Sequence, residues 1–143
     1  MSAHIIHVFI SHSWSYSVHY DTLQKWIFAE SWRVGQASLH FKDYSVPRYD
    51  PIHNAGSDLE LKQAIDNQIS RCSVVIAPTG MYASYSKWIA KELDLAKSYN
   101  KPILGVNPWG QERTSSVVRE AADITVGWNK ESVVKAIWEL CRL

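Results

Sequence analysis

Ser73-Val74-Val75-Ile76-Ala77-Pro78 is a continuous small and β-branched apolar run, closed by proline. A strand with one wet face alternates apolar and polar residues. A run without polar alternates is buried on both faces, and such strands belong to parallel sheets covered by helices. Reading outward from this run decides the architecture.

Downstream, Pro78-Thr79-Gly80-Met81-Tyr82 leads into a segment in which Tyr85, Ile89, Leu93 and Ala96 recur at helical spacing. Ser84 or Ser86 is its expected N-cap, and Asn100 its expected end. Trp88 and Glu92, four residues apart, share the flank of that apolar stripe. Helical position alone makes Glu92 an ordinary solvated glutamate. Lys101-Pro102 then opens a strand at Ile103, Leu104 and Val106. After Asn107-Pro108-Trp109-Gly110 come a short helix over Ser115–Ala122 and a strand at Ile124-Thr125-Val126. A last helix, Lys130–Cys141, turns Val133, Val134, Ile137 and Cys141 inward.

Upstream, Ile5-Ile6-His7-Val8-Phe9-Ile10 reads as a first, central strand ending in the polar turn Ser11–Ser15. Tyr16, Tyr20, Leu23 and Ile27 predict a helix to about Ala29, and Val34-Gly35 a turn. Ser38–Phe41 is a second strand, ending at Lys42-Asp43. Asp43–Asp58 is long and polar, with Pro47, Pro51 and Gly56; a loop of this length predicts a mobile, functional segment. Ser57 or Asp58 then caps a helix whose inner face is Leu61, Ile65, Gln68 and Ile69.

Strand and helix therefore alternate throughout. The expected fold is α/β and flavodoxin-like: a five-stranded parallel sheet of order 2-1-3-4-5, helices on both faces, one domain over residues 1–143. In such a sheet ligands bind beyond the strand carboxyl ends, between the first and third strands. Ser11–Ser15, Asp43–Gly56 and Pro78–Tyr82 should converge there, beside the helix carrying Glu92.

Composition narrows the function classes. Net charge is +1 with both signs dispersed, so no basic stripe suggests nucleic acid. The Ile5–Ile10 run is too short for a signal-peptide core or a membrane span, which predicts a cytoplasmic protein without membrane attachment. Cys72 and Cys141 lie far apart and read as buried thiols of a reducing compartment. Seven Trp and seven Tyr are enough to build core and still line a pocket for a flat ligand.

Several chemistries fail on residue type. A phospho-accepting receiver domain shares this topology but needs acidic residues after its first and third strands. Here those positions are Ser11-His12 and Ala77-Pro78. No glycine-rich dinucleotide fingerprint follows the first strand, and no Walker pattern exists. Ser11, His12 and Ser13 are neighbours on an extended segment and point apart, without a nucleophile-elbow pattern. The six histidines lack metal-ligand spacing, so no metal is expected. What remains is the Glu92 carboxylate amid hydroxyls and aromatics. That equipment suits glycosidic cleavage, whose oxocarbenium-like transition state a carboxylate stabilises. A leaving group that already carries charge, such as nicotinamide, needs no general acid.

Val8-Phe9-Ile10-Ser11-His12-Ser13 resembles the opening strand of TIR domains. Ser86-Lys87-Trp88-Ile89-Ala90-Lys91-Glu92-Leu93, followed by Lys101–Val106, resembles their S-x-W-x-x-x-E-L helix and next strand, and Ser73–Pro78 fits the third. The likeness spans essentially the whole chain and is strongest to the TIR-like ThsB component of bacterial Thoeris anti-phage systems. It implies NAD⁺ cleavage with Glu92 as the essential residue, NAD⁺ being substrate and no cofactor being required. It further implies a cyclic ADP-ribose-type product made on a phage-derived trigger and passed to a separate effector protein; homo-oligomer formation is left open. Glu92 would hold the nicotinamide-side ribose and Trp88 would shape the pocket. Ser11 and Ser13 would donate to phosphate or ribose, and His12, Asp43, Tyr44, Met81 and Tyr82 complete the expected substrate contacts. The segment Asp43–Gly56 corresponds to the loop that closes over the nucleotide. Two other readings are a non-catalytic TIR interaction module and a nucleoside deoxyribosyltransferase-like enzyme.

Overall fold

The computed structural model describes residues 4–11, 18–29, 32–45, 58–79, 89–107 and 116–141. Strands are β1 (His4–Ile10), β2 (Trp32–Val34), β3 (Ala37–Asp43), β4 (Val74–Pro78), β5 (Ile103–Asn107) and β6 (Ile124–Gly127). Helices are α1 (Val18–Phe28), α2 (Asp58–Arg71), α3 (Ile89–Ser98), α4 (Ser116–Ala121) and α5 (Lys130–Cys141).

The sheet order is β2-β3-β1-β4-β5-β6. β1 pairs in parallel with β3 on one side and β4 on the other, with Val8 opposite both Asp43 and Val74. β5 and β6 continue the parallel array. The five expected strands thus stand in the expected order. The sheet nevertheless has six, because β2 adds an antiparallel edge to β3. Val34 and Ala37 face each other across the two-residue turn Gly35-Gln36. Gly35 takes φ 60°, a left-handed conformation that costs glycine nothing. Three residues are too few to show a period in sequence. β2 exists because β3 offers it a ladder and because the Trp32 indole donates to the Trp26 carbonyl at 2.9 Å.

Strand pleating divides the core into two. Ile6, Val8, Ile10, Val74, Ile76, Leu104 and Val106 face Leu23 and Ile27 of α1 and Val133, Val134 and Ile137 of α5. Phe9, Val75, Ala77 and Ile103 face Ile65 and Ile69 of α2, Ile89, Leu93 and Ala96 of α3, and Val118 of α4. Successive residues of β4 enter opposite layers, and all of Val74 to Ala77 have no exposed surface. That is the outcome its unbroken apolar run demanded. Each fully buried aliphatic side chain here contributes about 1.5–3 kcal/mol of transfer free energy.

The end of α3 is built by its own sequence. Asn100 takes φ 57°. The Lys101 N–H returns to the Ala96 carbonyl at 2.8 Å, and the Asn100 N–H to Lys97 at 3.0 Å. This pair of bonds is a Schellman closure, with asparagine in glycine's usual place. It turns the chain straight into β5 and so fixes how far α3 reaches along the sheet.

Candidate active site

The carboxyl ends of the central strands carry buried hydroxyls. Ser11 follows β1, Ser45 follows β3 by two residues, and Thr79 follows β4; all three are buried. A strand end must satisfy its last backbone groups, and a short hydroxyl side chain such as that of Ser45 can do so.

Ser45 accepts a hydrogen bond from the Ile10 N–H at 2.8 Å, so a side chain continues the ladder where β3 stops. The Ser11 N–H donates to the Ile76 carbonyl at 2.8 Å, which ties the next residue to β4. Thr79 donates its hydroxyl to Asn107 Oδ1 at 3.0 Å, linking the ends of β4 and β5. Gly105 makes room for that link: a Cβ there would lie 3.0 Å from Thr79 Cγ2 and 3.3 Å from Ala122 Cβ.

Glu92 comes from the first turn of α3. Burial of Ile89, Leu93 and Ala96 against the sheet carries Glu92, on the same side of the helix, inward with them. Its carboxylate accepts a hydrogen bond from the Ser11 hydroxyl, Oγ to Oε1 2.8 Å. Both residues have no exposed surface. Helical position alone would leave Glu92 in water; the packed structure buries it completely. In an isolated helix the flank faces water, but here the carboxyl ends of β1 and β4 lie against it. A buried carboxylate is costly unless polar groups meet it, and Ser11 is one that does.

Asp43 and Tyr44 are placed differently. Asp43 is on the surface; Oδ1 accepts the Ser45 N–H at 2.8 Å and Oδ2 accepts Gln24 Nε2 at 2.9 Å. Tyr44 stacks on His7, with ring centroids 4.3 Å apart and planes within 7°, while its carbonyl accepts Gln68 Nε2 at 3.0 Å. These two residues anchor the start of the following segment to β1, α1 and α2. His12, Ser13, Met81, Tyr82 and Trp88 lie outside the described residues, as do Ser84, Ser86 and residues 46–57. Ser45, Thr79 and Asn107 were not among the expected site residues. Ser45 and Thr79 do lie within Asp43–Gly56 and Pro78–Tyr82, two of the segments expected to converge at the strand ends, but nothing in the sequence set these residues apart from their neighbours.

At the opposite, amino-terminal end of the strands, a groove of about 690 Å³ is lined by Cys72, Lys101, Pro102, Trp138 and Cys141 among others. Burial pushes the Cys72 thiol up to about 12 and the Cys141 thiol up to about 11. Both are free cysteines; Cys72 is buried as expected, whereas Cys141 is only half-buried, and the raised values keep both thiols protonated near neutral pH. Trp26, Trp32, Trp128 and Trp138 pack against the α1–α5 layer and belong to structure rather than to the Glu92 site.

A flavodoxin-like sheet, with a buried glutamate from the helix after its third parallel strand set against the serine that ends its first, defines a TIR-like α/β domain. The family model described as Thoeris protein ThsB, TIR-like domain, matches residues 9–113. The chain belongs to that family. Among solved structures it is similar to the Clostridium botulinum CMP N-glycosidase BcmB, with a TM-score of 0.55 and 14% identity, covering 96% of this chain and 99% of that one. At that identity the likeness concerns the fold. No curated protein matches the sequence. No helix among the described residues is long and apolar enough to cross a membrane.

Proposed function

We propose that this chain cleaves NAD⁺ at the nicotinamide–ribose bond and makes a cyclic ADP-ribose-type signal in anti-phage defence. The observation that carries the reading is the Glu92 carboxylate, buried at the strand carboxyl ends and bonded to Ser11, in a chain of the ThsB TIR-like family. In the reaction the N-glycosidic bond breaks and its electron pair leaves with nicotinamide, which departs neutral. The ribose C1′ becomes oxocarbenium-like, and Glu92 stabilises that charge. Attack by a nucleophile within the same molecule closes a cyclic product, and attack by water gives ADP-ribose. BcmB, which shares the fold, is a CMP N-glycosidase, so its name too refers to an N-glycosidic bond of a nucleotide. The product would act on a separate effector, and the protein would work in the cytoplasm.

Glu92 has no exposed surface in this state, so substrate contact needs an opening movement. This supports a protein that is quiet until a phage-derived trigger acts, since unregulated NAD⁺ loss would harm its own cell. The test is incubation with NAD⁺, with and without extract of phage-infected cells, followed by chromatography of the products. Turnover should be slow or absent alone, appear with infected extract, and disappear in Glu92→Gln. Rapid turnover without extract would remove the trigger. Signalling that survives Glu92→Ala would replace the enzyme with an interaction module.

A further inference from the structure

We propose that Ser11 is the positioning residue of this site, holding the Glu92 carboxylate in its charged form and in one orientation. The inference rests on the reading of Glu92 as the reacting carboxylate, and it changes what Ser11 is for. A serine hydroxyl has one hydrogen to donate. Here that hydrogen goes to Glu92 Oε1 at 2.8 Å, so toward a nucleotide phosphate or ribose Ser11 acts as an acceptor.

The geometry suits positioning because Ser11 is held by backbone on both sides. Its own N–H is bonded to the Ile76 carbonyl in β4, and the N–H of the preceding Ile10 is bonded to the Ser45 hydroxyl. Its Cα therefore cannot follow a drifting side chain. Glu92 sits on a helix locked by Ile89, Leu93 and Ala96. A long flexible side chain on a rigid helix still has several rotamers, and a fixed donor at the neighbouring strand end selects one of them. The same bond favours the charged form, because a hydroxyl donates to a carboxylate more strongly than to a neutral acid. Stabilising a developing positive charge requires both the charge and its placement.

The experiment compares wild type with Ser11→Ala, Ser11→Thr and Glu92→Gln. The first readout needs no turnover: ¹³C NMR titration of the Glu92 carboxyl, assigned as the resonance missing in Glu92→Gln. Loss of the donor should raise its midpoint by about one unit or more. The second readout is NAD⁺ cleavage in the presence of infected-cell extract. Ser11→Ala should lower kcat about tenfold or more with KM little changed, and should cost almost nothing further in the Glu92→Gln background. Ser11→Thr, which keeps the hydroxyl, should recover most of both readouts. An unchanged carboxyl midpoint in folded Ser11→Ala, or additive effects in the double variant, would overturn the proposal. A shifted midpoint in a protein that never cleaves NAD⁺ would uphold the charge coupling while removing the substrate reading.

Discussion

Glu92 and its neighbours behave as they do because of what surrounds single atoms. Replacing Glu92 by Gln keeps size and an acceptor oxygen for Ser11 while removing the charge. If that charge stabilises the transition state, kcat in the triggered state should fall by roughly a hundredfold, from the loss of about 3 kcal/mol. Product chromatography on both folded proteins measures it, and equal turnover would end the enzymatic reading. A separate prediction concerns Ser45, which is buried and supplies the acceptor for the Ile10 N–H. Ser45→Ala would strand that amide, and denaturant unfolding should show a loss of about 1–3 kcal/mol. A stability change below a few tenths would mean that water replaces the hydroxyl.

Among the elements, α3 and β5 depend most on individual backbone choices. Asn100 closes α3 at φ 57°, where a Cβ-bearing residue without a compensating polar side chain is strained. Asn100→Ala should therefore cost about 1–2 kcal/mol, and Asn100→Gly should be neutral or stabilising. Gly105 depends on space instead of dihedral angle. A methyl group there meets Thr79, Thr125 and Ala122 at 3.0–3.3 Å. Gly105→Ala should lose about 1–3 kcal/mol by overpacking. It should also disturb the Thr79–Asn107 link at the strand ends, which thermal melts read alongside product assays. Retention of wild-type Tm would show that α4 shifts to accommodate the methyl.

The whole molecule should respond to alkali through its thiols. Cys72 and Cys141 are raised from 9.0 to about 12 and about 11 by burial. Below pH 9 the thiols are neutral in both folded and unfolded chains, and their contribution is fully present. Above it the unfolded chain gives up its thiol protons while the folded one keeps them. Stability therefore falls with rising pH, through the window from about 9 to the folded values. Cys72→Ala should flatten that limb even though it costs core packing at neutral pH. An alkaline limb of unchanged slope, followed by denaturant titration at several pH values, would assign it to other groups.

The parallel order of strands, the two-sided burial of β4 and the inward placing of Ile65 and Ile69 on α2, Ile89, Leu93 and Ala96 on α3, and Val133, Val134 and Ile137 on α5 were legible in the chain. Each is a local pattern repeated over enough residues: an unbroken apolar run, or a period of three to four. The family resemblance singled out Glu92, and the structure shows that side chain buried and bonded to Ser11. Three things were not legible. β2 needed a partner strand before three residues could count as a strand. A donor to Glu92, Ser11, lies 81 positions away in sequence, just beyond the strand that opens the chain. The burial of that carboxylate follows from the apolar stripe beside it together with helix and strand ends meeting; the stripe is written in the sequence, the meeting is not. Sequence determined which faces must be dry, because hydrophobic burial is written in composition and period. Tertiary structure decided which polar atoms meet, because hydrogen bonds between distant elements depend on distances that only the packed sheet sets.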